Sequence, residues 1–167
     1  MTKNLMAILA IALVIVLAGL AWQGWRSRKA RQEATFESPN EALEFFGQEL
    51  ANATGFYVAT SAASDFLERI NAYGLGPRGV AQIIVFSEGL LILRQGERPL
   101  AIEKAQMSKV MTTQYVIDRA VEAEGIISIA WTQNSVNLAT HLRVVSEESR
   151  LNIINALNSI CSREEAK

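Results

Sequence analysis

The sequence predicts an α+β chain: one membrane-spanning helix, then a seven-stranded, strongly bent antiparallel sheet, a partial barrel, capped by a C-terminal helix. Three observations carry that expectation. Leu5 to Trp22 is a run of eighteen residues without a charged or strongly polar side chain. From Gly55 the hydrophobic period shortens from that of a helix to that of strands. After Ser146 the helical period returns and runs to Cys161.

Extended to Trp25, the apolar run would rise roughly 30 Å as a helix, the thickness of a bilayer's hydrocarbon core. A secretory signal peptide is the alternative, with Lys3 as its basic start and Gly19-Leu20-Ala21 as small residues near a cleavage point. The length of the run argues for an anchor, residues 1–25, that stays in place. So does the basic cluster Arg26, Arg28, Lys29 and Arg31 that follows it. Those charges outweigh Lys3 and the amino terminus, which puts the N-terminus outside and the rest in the cytoplasm at the plasma membrane. Trp22 and Trp25 fall where indoles favour the headgroup region.

Residues 26–52 read as a juxtamembrane connector. Ser38-Pro39-Asn40-Glu41 opens a short helix there, with Leu43, Phe46 and Leu50 on one face. Residues 53–162 read as the folded domain, expected to fold without the anchor, and 163–167 as a tail. Within the domain, Phe56–Thr60 is rich in β-formers. Ser64 is placed to cap a helix in which Phe66, Ile70 and Tyr73 align. Gly74-Leu75-Gly76-Pro77-Arg78-Gly79 matches G-x-G-x-x-G, but a dinucleotide site needs a strand before it and a helix after it. Here the order is reversed and Pro77 removes an amide donor, so the stretch reads as a turn.

Strands are then expected at Val80–Phe86, Leu90–Arg94 and Arg98–Glu103, joined by glycine-containing turns. Val110–Ile117 is a further strand. Ile126–Thr132 puts Ile127, Ile129 and Trp131 on one face. Val136–Val144 puts Val136, Leu138, Thr140, Leu142 and Val144 inward, and Asn137, Ala139, His141 and Arg143 outward as solvated residues. The closing helix carries Leu151, Ile154, Leu157 and Cys161 as its apolar stripe. Trp131 reads as core and Cys161 as a small hydrophobe on that stripe.

Composition narrows the function. From Ala53 to Lys167 there are 11 basic and 12 acidic residues, so no basic footprint for nucleic acid exists. One cysteine excludes an internal disulfide, and one histidine leaves no zinc ligand set. No cofactor motif and no placed pair of carboxylates points to an enzyme.

Seven antiparallel strands followed by one amphipathic helix is the order of a pleckstrin-homology-like (PH-like) domain, in which the helix plugs the open end of a bent sheet. Over nearly its whole length the sequence also resembles a family of actinobacterial membrane-anchored PH-like proteins, often called export or transport proteins. The resemblance lies in the anchor with trailing arginines, Gly74–Gly79, Glu88-Gly89-Leu90-Leu91-Ile92-Leu93-Arg94, Ile129-Ala130-Trp131 and Thr140-His141-Leu142-Arg143. It implies a tethered, non-catalytic module that touches the bilayer through residues 5–25 and binds a membrane or cytoplasmic protein. The alternatives are a lipid-headgroup reader or an accessory subunit of a transport or export system. Arg69, Arg78, Arg94 and Arg98, in or beside the loops of the early strands, are the candidate phosphate ligands of such a reader. His141 and Arg143 form a second small basic candidate patch.

Overall fold

The structure, a computed structural model, describes residues 2–35, 47–113, 115–116, 119–120 and 125–161. Helix α1 (Thr2–Thr35) carries the apolar run through the basic cluster without a break. Its segment Asn4–Ser27 is 24 residues long, has a mean hydropathy of 2.8 and is nowhere buried, so it is long and apolar enough to cross a membrane. Trp22 and Trp25 sit side by side with ring centroids 5.4 Å apart.

The domain is built on strand β1 (Glu49–Ala62), joined by β2 (Asp65–Arg69), β3 (Gly79–Phe86), β4 (Gly89–Arg94) and β5 (Leu100–Glu103). Strand β6 (Met107–Thr113), the short hairpin β7 (Tyr115–Val116) and β8 (Arg119–Ala120), β9 (Ile126–Gln133), β10 (Val136–Arg143) and helix α2 (Glu147–Cys161) complete it. The main sheet runs β5-β4-β3-β1-β10-β9-β6, with β2 paired to the end of β1. The seven strands on that path are the seven expected from the sequence.

Strand β1 bends the sheet. Its first half pairs with β3 and its second half with β10, and the register to β10 slips by one residue between Tyr57 and Ala59. An extra residue in one strand raises the local twist and kinks the strand, so one 14-residue strand serves two half-sheets. Their inner faces meet in the core, where Tyr57, Ile83, Leu90, Ile92, Ile129, Trp131 and Leu142 are among the buried side chains. Between β9 and β10, Asn134 and Ser135 both take positive φ (46° and 69°), the two-residue hairpin geometry that matches strand twist.

Gly55 lies where β1 comes closest to the end of β10. A Cβ there would stand 2.5 Å from the Arg143 carbonyl oxygen and 3.0 Å from Ile83 Cδ1. Gly55→Ala is therefore expected to destabilise the domain by about 1–3 kcal/mol, through a backbone shift that no rotamer can relieve. Thermal melts followed by far-UV circular dichroism would show it; an unchanged melting temperature would mean that the two strands separate easily at this point.

Several expectations are corrected. Glu49–Asn52 is strand, paired with β3 (Glu49↔Phe86, Asn52↔Ile84), so Leu50 is a strand residue and 44% exposed. The rest of the expected connector helix, with Leu43 and Phe46, lies outside the described residues, as does the tail. Phe66 and Ile70 do not share a helix face. Residues 65–69 form β2, followed by a single 3-10 turn at Ala72–Gly74. The strand expected at 110–117 begins instead at Met107 and ends at Thr113.

Helix α2 is rotated from its expected setting. Ile153, Leu157 and Ile160 are buried, whereas Leu151 is 50% exposed and Cys161 lies half-buried at the edge of the core. Ser146 Oγ accepts from the Ser149 amide at 3.3 Å, which caps the helix where the sequence placed its start.

Candidate functional site

The Gly74–Gly79 turn is held from below by two arginines. In β4, Leu90, Ile92 and Arg94 fall on one strand face, and that face is the inner one. Arg94 is accordingly 6% exposed, with its guanidinium carbon 4.3 Å from the centroid of the Tyr57 ring. Its Nη1 donates to the Gly74 carbonyl at 2.6 Å and its Nη2 to the Arg98 carbonyl at 3.2 Å. Arg69 Nη1 donates to the Gly76 carbonyl at 3.1 Å. Gly74 needs its positive φ of 76° to turn its carbonyl toward Arg94.

Beneath the turn runs a hydrogen-bonded chain whose direction is set by its ends. Trp131 Nε1–H can only donate, and it reaches Thr140 Oγ1 at 3.0 Å. Thr140 and Thr60 hydroxyls are 2.9 Å apart, and Tyr57 Oη lies 2.8 Å from both Thr60 Oγ1 and the Leu75 carbonyl. A carbonyl can only accept, so the one phenolic proton goes to Leu75. Thr60 then donates to Tyr57, and Thr140 to Thr60. Burial pushes the Tyr57 phenol up to about 12, against smaller opposing effects of the Thr60 hydrogen bond and of Arg94 and Arg69. The tyrosine is thus a neutral strut, not an acid.

His141 stands on the face opposite Thr140 and Leu142, as the alternation predicts, yet it is 1% exposed rather than solvated. Its Nε2 lies 2.9 Å from Ser61 Oγ and its Nδ1 2.8 Å from Ser128 Oγ, so one ring ties β1, β10 and β9 together. Burial drives its pKa down to about 4, which keeps the imidazole neutral. The flanking outer-face residues Ala59 and Ala139 are small and fully buried. The basic patch expected from His141 and Arg143 is therefore two separate features.

Arg143, half-buried, belongs elsewhere. With Arg78 it borders a pocket of ≈ 370 Å³ on the outer wall of the sheet, lined by Phe56, Val58, Val80 and Ile126. This pocket opens where β3 and β10 diverge on either side of the β1 bend, since Phe56 pairs with both Val80 and Arg143. Phe56 and Val80 are 44% and 56% exposed at its mouth. A second hollow of ≈ 310 Å³ holds Arg78 and Arg94 together with Gln95 and Glu97. Arg98 is exposed on the β4–β5 connection. The four early arginines thus surround one turn, but two of them support it from within. Among the described residues no group of His, Cys, Asp and Glu could hold a metal ion.

The sequence reading missed two things: the inward placement of Arg94 and the outer-wall pocket. The first was signalled by the Leu90-Ile92-Arg94 alternation. The second was not, because it depends on where three strands part.

A bent antiparallel sheet with β1 shared between its halves and a helix plugging one end defines the PH-like class of binding domain. The chain belongs to the bacterial PH domain-like family, whose pattern matches residues 35–158. Curated proteins give no match. Solved structures of the Vav1 exchange factor are similar at low identity. One, describing a structural role for its PH and C1 domains, is 9% identical, covers 84% of this chain and 33% of its own, and has a TM-score of 0.45. An apo structure of activated, truncated Vav1 gives 9%, 84%, 33% and 0.47. One with an allosteric inhibitor gives 10%, 86%, 35% and 0.44. The chain spans about a third of the length of those structures.

Proposed function

We propose that the chain is a membrane-tethered, non-catalytic interaction module, held at the plasma membrane by residues 5–25 with its domain in the cytoplasm, and that the domain binds a protein partner. The observation that carries this reading is the engagement of Arg69 and Arg94. Their guanidinium groups hold the carbonyls of Gly74, Gly76 and Arg98, so half of the candidate phosphate ligands serve the fold. Glu97 adds a carboxylate beside Arg78 and Arg94. A domain with 11 basic and 12 acidic residues also has no net pull toward an anionic leaflet. The anchor supplies membrane residence, which makes a second, headgroup-directed tether redundant. A role beside an export or transport system, and an actinobacterial source, rest on the sequence resemblance alone.

Two measurements test this. Full-length chain in zwitterionic nanodiscs, mixed with anionic vesicles at moderate salt, is expected to co-sediment little. Strong, salt-sensitive binding that disappears in Arg78→Gln/Arg98→Gln, the exposed pair, would establish the headgroup-reader alternative. Reporter fusions after Lys167 should be active only as cytoplasmic reporters, and an active alkaline phosphatase there would reverse the topology.

A further inference from the structure

We infer that the exposed face of α2 is a self-association surface, which takes the same face of a second copy of this chain across a two-fold axis. From Leu151 to Cys161 the helix carries no charged residue. Its exposed residues Leu151, Asn152, Asn155, Asn158 and Ser159 recur at spacings of three and four. They form one face, opposite the buried Ile153, Leu157 and Ile160. A helix face that meets only water usually carries charge, and Asp, Glu, Lys and Arg make up 20% of this chain. Asparagine is also a poor residue inside a helix, because its side chain competes for backbone groups. Three of them on one exposed helix face break the local rule, which marks a place where something other than folding sets the sequence.

Asn158 already has a partner within the chain. Asn152 and Asn155 make no side-chain hydrogen bond among the described residues, so these two carry the inference. An amide both donates and accepts, so an asparagine stripe is complementary to its own copy. A two-fold contact requires that self-complementarity, whereas a stripe of one charge would repel itself. Leu151, 50% exposed on the same face, supplies an apolar contact beside the amides. Depletion of charge is the compositional mark of an interface centre. The stripe from Leu151 to Ser159 is about 12 Å long, too short to bury the roughly 800 Å² per partner of a standard interface. The pairing is therefore weak in dilute solution and is sustained by the high effective concentration of copies held in one membrane. For that term alone the inference rests on the membrane-tethered reading; otherwise it goes beyond it.

The test uses full-length chain with a donor or an acceptor fluorescent protein fused after Lys167, reconstituted together in zwitterionic vesicles and read by energy transfer. Density-gradient flotation of the same vesicles reads anchoring separately from association. Wild type is expected to show transfer above the level of random encounters, falling as lipid is added. Asn152→Lys/Asn155→Lys and Asn152→Glu/Asn155→Glu each set like charges across the axis and should weaken pairing about tenfold or more. Mixing the lysine variant as donor with the glutamate variant as acceptor should restore it, a result that neither a different partner nor a contact between anchors can produce. Lysine and glutamate are good helix formers, so both variants should melt no lower than wild type. Failure to float would overturn the tethered reading and this inference with it. Random-level wild-type transfer in vesicles that do float, unchanged pairing in both charged variants, or a mixed pair that regains no transfer would overturn the inference alone.

Discussion

Trp131→Ala is expected to lower the unfolding free energy by about 3–5 kcal/mol, the cost of emptying a large aromatic site in a closed core. Trp131 is 1% exposed and lies at the centre of the cluster shared by both half-sheets. Its indole N–H also starts the chain through Thr140, Thr60 and Tyr57 to Leu75. Without that donor the Thr140 oxygen keeps only its bond to Thr60, while every hydroxyl beyond keeps its own partners. Trp131→Phe separates the two effects: most of the packing remains, and the lost hydrogen bond alone should cost about 1 kcal/mol. Urea titrations of the chain in a nonionic detergent, followed by far-UV circular dichroism, would measure both. If Trp131→Phe is as harmful as Trp131→Ala, the hydrogen bond rather than the volume dominates.

The same residues show what a sequence can and cannot reveal here. Trp131, Ile129 and Ile127 alternate cleanly, and so do Leu138, Thr140 and Leu142. Period-2 patterning therefore located β9 and β10 and their inner faces. The seven-strand path was legible for this reason. The segment around Leu50 misled because Leu43, Phe46 and Leu50 satisfy a helical spacing as well as any amphipathic helix. The pairing of Glu49–Asn52 with β3 is a long-range event that local pattern does not contain. Phe66, Ile70 and Tyr73 misled in the same way. Their spacing fits a helix, but the Ile70 amide donates to the Thr60 carbonyl at 2.9 Å across the β1–β2 hairpin.

The candidate site was legible in part. Its residues were named, yet charge and loop position do not say which way an arginine points. Arg94 and Arg78 differ by being inside and outside the barrel, a distinction made by register with Ala81 and by the turn that follows Gly74. His141 was placed on the correct strand face and in the wrong environment. Whether an outer face meets water is decided by what else packs there, which alternation cannot express.

That environment makes the stability of the domain acid-sensitive. The His141 pKa falls to about 4 in the folded state from an ordinary 6.5, because burial penalises the charged ring. Both ring nitrogens face hydroxyls, from Ser61 and Ser128, which can donate or accept as needed. Protonation is therefore opposed by desolvation and not by a missing acceptor. The sign follows from proton binding. Below about pH 6.5 the unfolded chain takes up a proton at His141 that the folded chain refuses, so stability falls as pH drops. The contribution is fully present above pH 6.5, declines between about 6.5 and 4, and reaches about 3 kcal/mol of loss at the lower end. Carboxylates add a background acid effect, so the informative quantity is a difference between chains. His141→Gln keeps one donor and one acceptor without a titrating ring. Its unfolding free energy, plotted against pH, should be flatter than the wild-type curve by that amount across this window. Parallel curves would mean that His141 is as readily protonated in the fold as in water, and that the Ser61–His141–Ser128 bridge opens to solvent.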